Sequence, residues 1–241
     1  MAEYLWCFDN GRKSPGYEGV RLSFLLGRIH DLGMKFPPAL KALEDRRDAA
    51  ESKLAAGADP FDDVEDILSI NRELDVQARN LELYDKLAKQ KPLPPRLRIA
   101  FANEVFPLLV DARRYKDGLE LFDNPEGYVT WRLNMVKTMP SRGTEVDKSA
   151  DSFLRQQTIL ECSKMYEALL GAERKDVAAK VVEHLSKFSA TGTTYSILVQ
   201  SAARAGALDV ARSVGEQGIA LLPDAEKAQV KDTLKLVGAV K

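Results

Sequence analysis

Residues 193–224 read TTYSILVQSAARAGALDVARSVGEQGIALLPD. Two apolar runs flank Gly206, and Pro223 closes the second. A glycine between two helical runs ends the first helix, because it takes a left-handed backbone conformation at little cost. Ala211 then puts a small side chain on the second helix, where two helices can approach closely. The stretch predicts one helix–turn–helix pair with positive φ at Gly206.

The same signature recurs upstream. Arg113-Arg114-Tyr115-Lys116-Asp117-Gly118 and Arg174-Lys175-Asp176-Val177-Ala178 each give a turn, an acidic residue and then a small residue on a new helix. Ala178 and Ala211 lie 33 residues apart, whereas Gly118 and Ala178 lie 60 apart, so the array is irregular. The segment 193–224 resembles a tetratricopeptide repeat, a helix pair of about 34 residues. Tyr195, Leu198 and Val199 match its large first-helix residues, Gly206 its turn, Ala211 its small contact residue and Pro223 its closing proline. Gly215 and Gly218 depart from the pattern, which has a bulky residue and an alanine there. The resemblance is looser upstream and hardly touches the first 95 residues. It implies an α-solenoid whose groove holds a peptide or a partner's helix. A pentatricopeptide reading of residues 194–224 implies single-stranded RNA as partner instead. The spacing from Gly206 to Pro223 suits the tetratricopeptide better.

Outward from the repeats the pattern stays helical. Val20, Phe24, Leu25, Leu26, Ile29 and Leu32 give a helix over 18–32, ended by Gly33 in a left-handed conformation. Pro37-Pro38 opens a helix to about Ala56, with Leu40, Leu43, Ala50 and Leu54 apolar and Gly57 as terminator. Asp59-Pro60 reads as an N-cap followed by proline at the first helical position. The next helix is predicted to run from 60 to 90. Its residues Ile67, Ile70, Leu74, Leu81, Tyr84 and Ala88 form a heptad seam that only Gln77 interrupts. Helices 37–56 and 60–90 are expected to pair as an antiparallel hairpin, which is also the surface for self-association. Lys91-Pro92-Leu93-Pro94-Pro95 breaks the chain. It divides an N-terminal hairpin unit, 1–91, from a helical-repeat unit, 92–241. Residues 224–241 are expected to cap the last repeat, with Asp224 as N-cap and Ala228, Leu234, Leu236 and Val237 covering the apolar end. Residues 128–131 and 193–197 have strand-like composition but no partner run, so the fold class is all-α.

Of the 241 residues, 45% are hydrophobic and 29% charged, enough for a sizeable core. Lysine and arginine number 35 against 36 aspartates and glutamates, so no global field attracts nucleic acid or an anionic membrane. Glu3 sits where a secretory leader needs a basic region. The longest apolar run, Val105–Val110, is far short of the ~20 residues of a membrane span. A cytoplasmic protein is expected. Cys7 and Cys162, isolated and far apart, fit a reducing compartment, although pairing between them stays open.

Candidate chemistry is sparse. Asp59, Asp62, Asp63, Glu65 and Asp66 lack the glycine and distant glutamate of a calcium loop, and read as first-turn carboxylates at a positive helix end. Gly11-Arg12-Lys13-Ser14 lacks the glycines of a phosphate loop and reads as a polar loop. His30 and His184, with Cys7 and Cys162, show neither metal-ligand pair spacing nor a nucleophile signature. Lys86, Lys89, Lys91, Arg96 and Arg98 read as a solvated helix end. Trp6 and Trp131 read as core residues. Neither a cofactor nor a metal is expected.

The function these observations favour is a non-enzymatic scaffold that binds a protein or peptide; a helical enzyme or enzyme subunit is the alternative. On a tetratricopeptide-like pair the first helix lines the groove. Ser196, Gln200 and Arg204, four residues apart, are therefore the expected contact stripe. Lys164 and Glu167 on the preceding first helix, and Asn103 and Glu104 further upstream, extend it. Gln200, Arg204 and Lys164 are expected to grip the partner's backbone or a carboxylate.

Overall fold

Every regular element among the described residues is helical, including 128–131 and 193–197. The computed structural model describes residues 1–55, 60–89, 92–139 and 145–239. They form two compact units, Met1–Leu108 and Leu109–Lys241.

In the first unit, α1 (Ala2–Asn10) and a 3-10 turn (Gly11–Lys13) precede α2 (Glu18–Val20), a π-helical turn (Arg21–Leu25) and α3 (Leu26–Gly33). Then come α4 (Pro38–Ala55), α5 (Pro60–Glu73), α6 (Ala78–Ala88) and α7 (Pro95–Glu104). Phe8, Leu25, Leu26, Ile29, Ala39, Leu43 and Ile70 form one apolar cluster. The π turn changes which residues of 18–33 face it. Arg21 and Leu25 are buried, while Phe24, expected inside, is 61% exposed. Buried Arg21 pairs with Asp66 and lies 4.4 Å from the Phe8 ring centroid. Arg12 pairs with Asp62 and Asp66. The acidic start of α5 is thus spent on two arginines as well as on its helix end. Gly33 does not turn left-handed. Its lack of a side chain instead lets Leu40 pack against the backbone, where a Cβ would collide with it.

The single helix expected over 60–90 is two helices. It stops at Glu73, and Asp75 takes φ 56°. Asp75 N–H donates to the Arg72 carbonyl at 3.2 Å and Val76 N–H to the Asn71 carbonyl at 2.9 Å, a Schellman end. The heptad seam is therefore divided, and Ile67 and Ile70 are buried inside the unit. Asn71 donates to Asn80 at 2.9 Å, which ties α5 to α6 by a buried amide pair. The expected packing of α4 on α5 is present, and Arg79 of α6 pairs with Glu51 of α4 at 2.9 Å. The Pro92–Pro95 break lies within the first unit, since α7 packs on α5. Arg96 sits 3.9 Å from the Phe61 ring centroid. Gly57, Asp59, Lys91 and the turn at 140–143 lie outside the described residues.

Helix α8 (Phe106–Asp111) runs across the division between units. The second unit continues with α9 (Tyr115–Leu119), α10 (Pro125–Thr138), α11 (Glu145–Gly171), α12 (Lys175–Phe188), α13 (Gly192–Arg204), α14 (Leu208–Leu221) and α15 (Asp224–Leu236). Three of its turns share one geometry. Arg113, Glu173 and Gly206 have φ of 57°, 63° and 80°. The residues after them, Arg114, Arg174 and Ala207, have φ/ψ of −87/55°, −90/57° and −93/65°. Each of those residues donates its N–H back across the turn, to Leu109, Leu169 and Ala202 carbonyls at 2.8, 2.8 and 2.9 Å. Gly206 has the positive φ expected of it. Arg113 and Glu173 hold the same conformation with a Cβ, at a cost of about 1 kcal/mol each.

The glycines that depart from the repeat pattern mark close packing. A Cβ on Gly215 would come within 2.7 Å of Leu234, and one on Gly218 within 2.6 Å of Tyr195. They let α15 and α13 sit against α14. Helix α15 turns Val230, Thr233 and Leu234 inward. Ala228 is exposed and Leu236 is 81% exposed, so the expected covering face is rotated. Pro223 holds the N-cap position, and the Asp224 carboxylate pairs with Lys227 at 2.8 Å instead of capping. Both tryptophans expected in the core are exposed, Trp6 by 66% and Trp131 by 54%. Both cysteines are free thiols. No helix among the described residues is long and apolar enough to cross a membrane.

Candidate functional site

The expected contact stripe is divided between the units. Asn103 is exposed on α7, and Glu104 beside it is half-buried against Arg72. Burial raises the Glu104 carboxyl above the ordinary carboxylate range, although Arg72 pulls it down.

In the second unit the stripe is mostly occupied by its own members. Ser196 is buried, so it cannot face a groove. Gln200 is half-buried. Arg204 donates from Nε to Glu167 Oε2 at 2.8 Å and from Nη2 to Ser201 Oγ at 3.0 Å. Lys164 donates to Asp111 at 2.5 Å. The Tyr115 hydroxyl donates to the Arg204 carbonyl at 3.3 Å. Tyr115 can come so close because Gly171 has no Cβ to meet its ring. Lys164, Glu167 and Arg204 do come together, but as internal ties between α8, α9, α11 and α13. Burial is the main influence on Glu167 and raises its carboxyl, against the pull of Arg204 and Lys164. Arg204 remains about half exposed.

A different feature opens between α12 and α14. Lys175, at the start of α12, donates to Asp209, at the start of α14, at 3.1 Å. Two turns further along, Glu183 and Gln217 border the same space, so α12 and α14 run side by side in one direction. Between them lies a slot of about 320 Å³. Its walls are Ala178, Ala179 and Val182 on one side and Val210 and Val214 on the other, with Tyr166 and Leu170 of α11 between. The Tyr166 side chain is fully buried, and its hydroxyl has no hydrogen-bond partner. Burial and the nearby Asp209 carboxylate both raise that phenol above its ordinary range, so it remains a neutral donor at physiological pH.

A shallow concavity on α10 is lined by Asn124, Glu126, Gly127, Thr130, Trp131 and Asn134. Glu126 there accepts from Lys180 at 3.1 Å and lies 3.4 Å from His184 Nε2. Lys180 first, then His184, hold its carboxyl below the ordinary range. Cys162 is buried, and its thiol is pushed up to about 12, opposite to the shift that activates a nucleophile. Among the described residues no group of three or more His, Cys, Asp or Glu side chains could hold a metal ion.

Sequence reasoning missed the slot. No motif or spacing in the sequence singles out Val210, Val214 or Tyr166. No spacing distinguishes an apolar residue covered by a neighbour from one left beside a gap. No protein-family model, curated protein or solved structure matches the chain.

Proposed function

We propose that the second unit is a tetratricopeptide-like helical-repeat module that binds a segment of a partner protein and catalyses no reaction on it. The observation that supports this reading is the shared turn at Arg113, Glu173 and Gly206. Five residues past each turn stands a small side chain: Gly118, Ala178 and Ala211. Repetition of one turn and one contact residue stacks helix pairs side by side, and such stacks present grooves between successive helices. Grooves of this kind bind helices or extended segments through a few anchoring side chains.

Random-peptide display on the full chain tests the reading, followed by amide hydrogen exchange with an enriched peptide. The expected result is a peptide family with a common spacing that protects amides within residues 164–221. Absence of enrichment on folded protein, or protection confined to the first unit, overturns it.

A further inference from the structure

We propose that the slot between α12 and α14 receives an apolar side chain, of about leucine size, from a partner segment that carries a lysine or arginine nearby. The proposal rests on the reading of the second unit as an interaction module and names the surface and the partner chemistry.

Three observations carry it. The slot is walled by Ala178, Ala179, Val182, Val210 and Val214 with Ser213 beside them, and Ala179 and Ser213 are exposed, so a side chain can enter while its backbone stays outside. Tyr166 and Leu170 of α11 close the slot's floor, and both are buried, so an entering side chain has a surface to pack against.

The third observation is the charge along the rim. At the near end Lys175 is neutralised by Asp209. At the far end Glu183 borders the slot and Glu216 is exposed on α14 beside Gln217. Both helices also point their partly negative C-terminal ends that way. Lys187 approaches Glu183 only at 3.8 Å. A cation from the partner is favoured at this end. Lys175 and Glu183 are about 12 Å apart along the helix, which about four residues of extended chain span. Apolar side chain and cation therefore fit on one short segment.

The test is a protein-observed NMR titration of the full chain with the blocked peptide acetyl-Leu-Gly-Lys-amide. Acetyl-Leu-Gly-Glu-amide and acetyl-Ser-Gly-Lys-amide are the comparison probes. Saturable shifts are expected at Ala179, Val182 and Val214 with the first peptide, and at least several-fold weaker binding of the other two. Ala179→Leu, at an exposed position, fills the slot and is expected to weaken binding at least about tenfold. Glu183→Lys should reverse the preference between the Lys and Glu peptides. No saturable shifts, shifts elsewhere on the chain, or binding indifferent to Ala179→Leu and Glu183→Lys each overturn the proposal. If displayed peptides still bind residues 164–221 in the Ala179→Leu variant, the interaction-module reading stands and this location fails.

Discussion

Two regions of the second unit invite comparison, the polar stripe on α11 and α13 and the slot between α12 and α14. The stripe has the composition expected of a binding surface, with Lys164, Glu167, Gln200 and Arg204 at helical spacing. Its charges are nevertheless already paired: Arg204 holds Glu167 within the stripe, and Lys164 holds Asp111 of α8. The slot has an unremarkable composition, yet it keeps open space beside apolar side chains. Polar spacing along a helix says which residues can meet, and not whether they meet each other or something else. Space left open beside apolar side chains is the better mark of a surface that awaits a partner.

The largest effect that sharpens this contrast belongs to Gly171, under the stripe. Gly171→Val drives a branched side chain into the Tyr115 ring and should cost about 3 kcal/mol in urea unfolding. Combining it with Tyr115→Ala should recover part of that loss. A neutral Gly171→Val would mean that the close contact behind the stripe is not real.

Next comes Arg204→Ala, expected to cost about 2 kcal/mol near neutral pH because the buried Glu167 carboxylate loses its main partner. Lys164→Ala should cost less than about 0.5 kcal/mol, since Asp111 can turn to water. Equal effects from the two would break the view of the stripe as a graded internal tie.

Gly206→Val should cost about 1–2 kcal/mol, because valine resists positive φ. The converse change, Glu173→Gly at the matching turn, should gain about 0.5 kcal/mol, the relief of backbone strain outweighing the extra freedom of the unfolded chain. Thermal melts of the two variants check both signs, and a destabilised Glu173→Gly would show that the turns are not equivalent.

A smaller effect is expected on pH dependence. Burial raises the folded-state pKa of Glu167, so the folded chain holds that proton more tightly than the unfolded chain. The contribution is fully present below the ordinary glutamate range and is lost as pH rises through the folded-state value. Stability of Glu167→Gln should accordingly fall less than that of the parent between acid and neutral pH. A steeper fall in the variant would reverse the assigned direction. Smallest of all, Tyr166→Phe should leave stability unchanged or raise it by under about 1 kcal/mol, because it removes an unsatisfied hydroxyl.

Much of the helical pattern was legible. The apolar runs on either side of Gly206 announced α13, the turn and α14, and Pro223 marked the start of α15. The turns at Arg113 and Glu173 were legible only by analogy, because no local preference puts arginine or glutamate at positive φ. Asp75 hid a helix end for the same reason, and apolar spacing continued across it as if the helix were unbroken. Gly215 and Gly218 read as defects until their neighbours, Leu234 and Tyr195, were in place. The π turn at Arg21–Leu25 moved Phe24 outward, and no periodic template of 3.6 residues anticipates that. The candidate stripe was legible as a set of neighbours, but its internal pairing depends on α8 and α9 as well as on the stripe. The slot depends on the distance between α12 and α14, which is a property of packing alone.

The most direct test sets the two regions against each other with one ligand. A display-selected peptide is titrated into the parent chain, the Lys164→Ala/Arg204→Ala variant and the Ala179→Leu variant, with the melting temperature of each recorded. The account predicts that the stripe variant melts lower and binds as the parent does, while the slot variant melts as the parent does and binds at least about tenfold more weakly. Lost binding in the folded stripe variant, with the slot variant unaffected, would contradict it.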